Sequence, residues 1–242
     1  MTSITEALVL NSIPYNDTSL IVKAYTKDFG LQTYILRSAR KVGSRTKVQH
    51  FQSLRILQLE ISSMPKAKLH NIKTSSLISG CEQTGSNIVK TSLAIFMAEV
   101  LNLSIKENIP NEDLYFFLKE QVMALEKAEE TALSEFHLHF LIDLSAKLGF
   151  RPYDNYSEQA PFFDLLSGQF TPSPQDKDVL NLQSSHSLHN LLLANTQITH
   201  PKSTATRIER RELSDNLARF YAIHITTGKM IRSHEILSLV LS

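Results

Sequence analysis

Few residues in the sequence have side chains that could perform catalysis or bind a metal. Glu135, His137 and His139 lie close together. However, two histidines that are two residues apart on a predicted helix point about 200° away from each other, so they do not share a metal. His186 and His189 are three residues apart, which helical geometry permits, but the sequence offers no third ligand beside them. We interpret these histidines as solvated or capping residues.

Cys81 is the single cysteine of the chain, so an internal disulfide and a zinc site built from several cysteines are both excluded. No base can be assigned to activate it, which favours a small packed residue over a nucleophile. The sequence also lacks the phosphate-binding loop of ATP-driven motors, the Gly-x-Ser-x-Gly turn and the Gly-x-Gly-x-x-Gly turn. We therefore expect a protein that is not an enzyme and that carries no cofactor.

Positive charge is concentrated in the first third of the chain. Residues 1–80 hold eleven Lys and Arg against four Asp and Glu, a net charge of +7, whereas the whole chain has a net charge of +1. The segment 37–47 contributes five of these cations and no acid, and the segment 65–68 adds two more. This excess favours a polyanionic partner, because cations that track a phosphate backbone release its counterions.

Nucleic acid is the polyanion that this pattern favours, since aromatic residues are interleaved with the cations. Barrels that bind single strands combine a basic groove with aromatic side chains on which the bases stack. The strand period leaves two possibilities open for Tyr34 and Phe51, which could be such platforms or part of a barrel core. The candidate DNA-binding residues are Lys23, Lys27, Tyr34, Arg37, Arg40, Lys41, Arg45, Lys47, Arg55, Lys66 and Lys68.

A second group of cations lies late in the chain and is interrupted by acids. The favoured interpretation is ion pairing within one helix, and the alternative is a cationic rim for an acidic peptide or for DNA. The cations are Lys202, Arg207, Arg210, Arg211, Arg219, Lys229 and Arg232, and the acids are Glu209, Glu212 and Asp215.

The elements that must position these residues change in type near residue 80. Five segments before it have the residue types and spacing of strands, with a turn at Asp28-Phe29-Gly30 in which Gly30 can adopt a positive φ. Five short strands favour a small closed barrel, because closure removes the exposed edges. The predicted strands are Ala7–Leu10, Ser19–Thr26, Leu31–Arg37, Ser53–Ile61 and Leu69–Ile78.

After Gly80 the apolar period becomes helical, and capping residues mark several helix ends. Ser86 or Asn87 caps the first helix and Asn111 the second, while Gly149 follows the third. Residues 150–174 are predicted to be irregular. Beyond the first helix, which ends before Pro110, the predicted helices are 112–128, Thr131–Leu148, Asp176–Gln183, Ser187–Ala194, Thr206–Thr226 and Ser233–Leu241.

The expected fold is therefore a multi-domain α+β fold. Residues 1–80 form a small five-stranded oligonucleotide-binding (OB) barrel, and residues 81–242 form an all-helical domain with an irregular insertion at about 150–175. No apolar run is long enough to span a bilayer, and Met1–Asn11 lacks the pattern of a signal peptide. We expect an intracellular protein without a membrane partner.

Several segments resemble the RecO family in order and spacing. In the barrel region, 7–10, 15–22 and 25–31 are followed by the basic stretch 37–41. In the helical region the similar segments are Ala98-Glu99-Val100-Leu101, Leu148-Gly149-Phe150-Arg151-Pro152, Phe220-Tyr221-Ala222-Ile223-His224, Ile231-Arg232-Ser233 and Ile236-Leu237. The resemblance covers most of the chain, and it depends on the order of these segments.

The resemblance implies a recombination mediator in DNA repair, cytoplasmic and associated with the nucleoid. The family binds single- and double-stranded DNA and anneals complementary strands. With RecR, it helps to load a RecA-type recombinase onto strands covered by single-stranded DNA-binding protein. It also docks the acidic tail of that protein, for which Lys147, Arg151, Arg210 and Arg211 are the candidates here. A non-catalytic adaptor whose barrel binds RNA or protein is the alternative function.

The sequence departs from the family at one place. Many members of the family carry four cysteines after the Leu-Gly segment, which form a zinc module, whereas residues 153–174 contain none. We expect no zinc, and we expect apolar packing to replace it. The residues predicted to form this packing are Phe162, Phe163, Leu165, Leu166 and Phe170.

Overall fold

The structure is a computed structural model of the chain. It describes residues 2–37, 39, 48–62, 69–79, 87–106, 108–174, 176–195, 205–225 and 229–241. Contacts between residues group the chain into two compact units, Met1–Ala128 and Glu129–Ser242. We call them the barrel unit and the helical unit.

Five strands of the barrel unit form a closed barrel in the order β1-β2-β3-β5-β4, as expected for the predicted OB fold. A short 3-10 helix, Val48–Phe51, precedes the fourth strand. The strands are β1, Thr2–Pro14; β2, Leu20–Thr26; β3, Gly30–Leu36; β4, Ile56–Ser62; and β5, His70–Ser79.

Strand β1 is much longer than the predicted segment Ala7–Leu10, because it pairs with two neighbours. Its first half lies against β4 and its second half against β2, with an irregularity in register between Val9 and Asn11. Apart from the buried Thr5, the outer residues of β1 are half-buried or exposed, so they lack the apolar run by which the central part is recognised. Such bulges allow one strand to bend around a small barrel.

The barrel core is formed by the side chains that point inward from each strand. Alternate residues along β2 and β4, such as Leu20, Val22, Leu57 and Leu59, are almost completely buried. Tyr34 and Phe51 belong to the same cluster. The structure therefore decides between the two possibilities for these aromatic rings, and both are barrel core.

Two helices follow the barrel within the same compact unit. They are α1, Ile88–Ser104, and α2, Glu112–Lys127, and the side chains of Asn87 and Asn111 cap them as predicted. Asn102 of α1 donates a hydrogen bond to the Leu10 carbonyl of β1 at 3.0 Å. Because of such contacts, the compact unit extends to Ala128, beyond the predicted domain boundary at residue 80.

Turn residue Gly30 adopts a φ of +63°, which agrees with the sequence prediction. A Cβ atom at this position would lie 2.6 Å from the carbonyl oxygen of Ile109, between α1 and α2. Thr26 closes the turn, since its hydroxyl donates to the Gly30 carbonyl at 2.9 Å and accepts from the Phe29 amide at 3.1 Å. The glycine is therefore required by backbone conformation and by close approach.

The helical unit contains four helices and one small hairpin in the described residues. Asn181 caps the fourth helix of the chain, so the two short helices predicted for 176–194 are a single helix that begins at Leu182. The residues predicted to be irregular contain the hairpin. The elements are α3, Glu130–Leu148; β6, Phe162–Asp164; β7, Gln169–Thr171; α4, Leu182–Ala194; α5, Arg207–His224; and α6, Ser233–Val240.

The β6–β7 hairpin has an apolar interior. Phe163, Leu165 and Phe170 are at most 3% exposed, and the Phe163 and Phe170 rings meet edge to face with their centroids 5.0 Å apart. Phe162 is half-buried. Leu166 lies in the turn and is 66% exposed, so its assignment to this packing was wrong. Within the residues that the structure describes, no three His, Cys, Asp or Glu side chains form a metal-binding group.

His137 of α3 is 3% exposed and lies in the interior of the helical unit. Its burial lowers the pKa of the imidazole to about 3, and the positive charge of Arg210 on α5 acts in the same direction. The side chain is therefore neutral at physiological pH. Between pH 6.5 and about 3, the unfolded chain binds a proton at this imidazole and the folded chain does not.

Substituting Gly30 by alanine should lower the free energy of unfolding by about 3 kcal/mol, because strain at positive φ adds to a clash with the Ile109 carbonyl. Gly149→Ala is the matched control. Gly149 has a φ of +86° at the end of α3 but no atom within 4 Å of the added Cβ, so the strain alone should cost about 1 kcal/mol. Urea unfolding followed by circular dichroism measures both. Equal losses in the two variants would contradict the close approach at Gly30.

The neutral His137 should make the protein less stable as the pH falls. The folded-state pKa lies below the unfolded value, so the unfolded state binds more protons between pH 6.5 and about 3, and stability is lost as the pH falls through this range. From pH 7.5 to pH 5, His137 should contribute a loss of about 2 kcal/mol. Urea titrations at both pH values should show a smaller loss in His137→Gln. An unchanged pH dependence in this variant would contradict the prediction.

Candidate nucleic-acid interface

Lys23 and Lys27 of β2, two of the candidate DNA-binding residues, contact helices of their own unit. The Lys27 ammonium lies 3.0 Å from a Glu112 carboxylate oxygen and 5.0 Å from the centre of the Phe116 ring. The hydrogen bond to Glu112 raises the pKa of Lys27. Lys23 Nζ donates to the Asn102 carbonyl at 3.4 Å. These ammonium groups are engaged within the protein, so we leave both residues out of the candidate interface.

At Glu6 of β1 the charges are reversed, because here an acid of the barrel pairs with a cation of a helix. Its carboxylate lies 2.7 Å from Lys119 Nζ and accepts a hydrogen bond from the Tyr115 hydroxyl at 3.0 Å. The hydrogen bond from Lys119 is the largest cause of the lowered pKa of Glu6. One barrel cation is thus neutralised by Glu112, while one barrel anion is neutralised by Lys119. The two exchanges cancel, and the strong positive charge of residues 1–80 remains.

Arg37 has the position expected of a DNA-binding residue. It follows the last residue of β3, is exposed, and its Nε donates to Asn71 Oδ1 at 3.2 Å. A guanidinium has five N–H donors, so this one hydrogen bond orients the group and leaves donors for a phosphate. Asn71 was not predicted from the sequence. It is 34 residues away from Arg37, and only the pairing of β3 with β5 brings it there.

The structure brings together the ends from which both basic segments depart. Asn71 of β5 pairs with Ile35 of β3 and also with Ser62, the last residue of β4. The end of β3, the end of β4 and the start of β5 therefore lie together at one end of the barrel. The basic segment 37–47 follows β3 in the sequence, and the segment 65–68 connects β4 with β5. The candidates Arg40, Lys41, Arg45, Lys47, Lys66 and Lys68 lie outside the described residues.

Tyr34 is not a stacking platform, and the structure corrects this prediction. The residue is 0% exposed, and burial raises the pKa of its hydroxyl to about 12. The only ring recorded near it among the described residues is His70, with centroids 6.3 Å apart. The alternation of side chains along β3 turns Tyr34 inward, so no face of its ring is open to a base.

Arg55 lies away from this end of the barrel. It is half-buried and immediately precedes β4, whereas Ser62 ends the same strand. Seven residues of extended chain separate them by roughly 23 Å. The backbone of Arg55 belongs to the contact between β1 and the start of β4, where its carbonyl accepts from the Val9 amide at 2.9 Å. Of the candidate cations that the structure describes, only Arg37 therefore lies at the end where the basic segments depart.

The four candidates for docking an acidic tail lie at two places in the helical unit. Lys147 is exposed in the last turn of α3, and Arg151 is exposed just beyond its end. Arg210 and Arg211 lie on α5, together with Arg207, which was not among the candidates. The spacing of these three arginines could have revealed that they share one helix face.

Ion pairing within α5, the favoured interpretation of the late cations, is wrong for these three arginines. Glu209 accepts hydrogen bonds from the Thr206 amide and hydroxyl in a capping box, at 2.7 and 2.9 Å. Glu212 accepts from the Ser184 hydroxyl at 3.4 Å, and Asp215 lies 3.3 Å from His234. The acids are thus engaged by a cap and by residues of other helices, and the described acids leave the three arginines without an ion pair.

No helix within the described residues has the length and apolar character that crossing a membrane requires.

Two families match successive segments of the chain. The family described as "Recombination protein O N terminal" matches residues 1–81, and the one described as "Recombination protein O C terminal" matches residues 85–230. The first segment corresponds to the barrel, and the second to the helices that follow it.

Proteins named DNA repair protein RecO are similar to the chain over nearly its full length. Those of Flavobacterium psychrophilum and Flavobacterium johnsoniae are 30% and 31% identical to it, with 98% of each chain covered. That of Phocaeicola vulgatus is 27% identical, with 96% of each chain covered. The resemblance inferred from the order of short segments is confirmed, and the chain belongs to the RecO family of DNA repair proteins.

Proposed function

We propose that the protein is a DNA-binding recombination mediator that anneals complementary strands. The observation that carries this proposal is the end of the barrel at Ile35, Ser62 and Asn71, from which both basic segments depart. Arg37 is oriented there by Asn71 and keeps donors for a phosphate. The cations of both basic segments lie within 32 residues of the sequence, from Arg37 to Lys68, and we propose that they act together at this end.

Annealing by such a face needs no covalent step. Two complementary strands repel each other through their phosphates, and a cationic surface that neutralises both lets their bases meet. Neither bond formation nor nucleotide hydrolysis is involved, which fits a sequence without a nucleotide-binding motif. We propose that the protein is not an enzyme and that it acts in the cytoplasm, at the nucleoid.

Membership of the RecO family supports two protein partners, RecR and single-stranded DNA-binding protein. Together with RecR, the protein would load a RecA-type recombinase onto strands covered by single-stranded DNA-binding protein. Lys147 and Arg151, which are exposed around the end of α3, are the residues that we assign to the acidic tail of that protein. Cations beside an apolar surface suit such a tail, and the ring of Phe150 lies between the two residues in sequence. Arg210 and Arg211 line a cleft between α3, α5 and α6.

Annealing and its salt dependence test the basic face directly. Replacing Arg37, Arg40 and Lys41 by alanine should remove up to three phosphate contacts, so the slope of log affinity against log salt for single strands should fall by about 2. Fluorescence anisotropy with a labelled oligonucleotide measures this slope. A two-oligonucleotide annealing assay, with one strand coated by single-stranded DNA-binding protein, measures the activity, which should decrease at least tenfold.

The matched control replaces Lys127, Lys177 and Lys229, three exposed cations outside the barrel, by alanine. It removes the same charge but should leave both the salt slope and the annealing rate within a factor of two. Equal losses in the two variants would mean that net charge, not the barrel end, governs binding. If the wild type anneals no faster than buffer alone, the mediator function fails and an adaptor that binds RNA or protein replaces it.

A further inference from the structure

The helical unit contains a cleft that the proposed function does not use. It opens to solvent and is lined by residues of α3, α5 and α6 and by Leu241. Three of the lining residues are the arginines of α5, Arg207, Arg210 and Arg211. None of the lining residues belongs to the barrel unit.

The three arginines lie on one face of α5. A residue turns about 100° around a helix axis relative to the one before it, so positions 207, 210, 211 and 214 fall within an arc of about 100°. The acids of the same helix lie outside this arc. Because Glu209, Glu212 and Asp215 are engaged elsewhere, none of these acids forms an ion pair with the three arginines.

The guanidinium of Arg210 is held in place by the protein. Its Nη1 donates to the Ala205 carbonyl at 2.6 Å, just before α5 begins. This contact uses one of five N–H donors and restrains the group, so four donors remain for a ligand. Arg210 is half-buried, and it is close enough to His137 to lower the pKa of the imidazole. His137 adds no positive charge to the cleft.

Ser214 supplies the observation that points to a ligand. It lines the cleft, is 2% exposed, and its hydroxyl oxygen has no hydrogen-bond partner among the described residues. A buried hydroxyl without a partner costs about 1–3 kcal/mol. An occupant of the cleft that accepts a hydrogen bond would remove this cost and would have three guanidinium groups beside it.

We propose that this cleft binds a phosphate group. Three guanidinium forks and one hydroxyl offer more donors than the two oxygens of a single carboxylate can accept. Inorganic phosphate or a phosphate monoester presents three or four oxygens and more negative charge, and successive phosphates of a nucleic-acid backbone present two charged oxygens each. The phosphate comes from a nucleic-acid backbone or from a free phosphate compound.

Inorganic phosphate, titrated into the full-length protein at constant ionic strength, is the first probe. The chain has no tryptophan, so we would follow the Nε–Hε resonances of labelled arginines by NMR. Arg207→Ala combined with Arg211→Ala should weaken phosphate binding at least tenfold. The control, Lys177→Ala combined with Lys229→Ala, removes two exposed cations of the same unit and should stay within twofold of the wild type. Equal affinities in these two variants would overturn the proposal.

Ser214→Ala separates a binding role from a structural one. The hydroxyl has no described partner to lose, so the thermal midpoint without phosphate should stay the same or rise. Phosphate affinity should fall about fivefold, as expected for the loss of one hydrogen bond. A lower midpoint with unchanged phosphate affinity would show that Ser214 is structural and would overturn its place in the site.

Competition identifies the source of the phosphate. If unphosphorylated oligothymidine displaces inorganic phosphate from the cleft, the ligand is the nucleic-acid backbone. If it does not displace it, the ligand is a free phosphate compound. An acidic peptide that occupies the cleft at a concentration tenfold lower than oligothymidine or inorganic phosphate requires would overturn the phosphate assignment in favour of peptide carboxylates. Annealing by the Arg207/Arg211 variant, measured in parallel, shows whether the barrel face works without the cleft.

Discussion

The barrel closes through a parallel pairing of only two residues on each strand, Tyr34 with His70 and Ile35 with Asn71. All other pairs in the barrel are antiparallel and longer. This short contact determines where the chain leaves the sheet, because β3 ends just beyond it and β5 begins there. It also turns Tyr34 inward and places Asn71 beside Arg37. A buried residue of the core and the orientation of Arg37 therefore depend on the same short pairing.

Two ion pairs between the barrel strands and α2 leave the net charge of the barrel unchanged. A basic barrel in contact with acidic helices could lose its excess charge to them, but the two described exchanges cancel, since Glu112 neutralises Lys27 while Lys119 neutralises Glu6. Both pairs are partly exposed, so each contributes little stability by itself. Their consequence is positional, because they fix the groups that face the helices. Arg37, at the end of β3, belongs to neither pair and is exposed.

Elements with strong local signals were predictable from the sequence. The caps at Asn87 and Asn111, the end of α3 at Gly149 and the turn at Gly30 all follow from one side chain or one backbone angle. The site was only partly predictable. The charge of residues 37–47 is visible in the sequence, but the partners of Lys27 and Arg37 are distant along the chain. Whether Tyr34 was core or platform depended on which way β3 faces, which alternation alone does not decide.

Helix α5 shows why local rules fail at a site. Its sequence alternates acids and arginines at spacings that favour pairs within the helix. In the structure, however, Glu209 accepts hydrogen bonds in the capping box. Glu212 accepts from Ser184 of α4, and Asp215 lies beside His234 of α6. The capping box satisfies the amides of Thr206 and Glu209, whereas an exposed ion pair within a helix contributes only about 0.5 kcal/mol. Little stability is therefore lost when these acids form their contacts elsewhere. The arginines that remain share one face with the buried hydroxyl of Ser214. Tertiary packing thus converts a pattern that looks self-neutralising into a cleft with uncompensated positive charge.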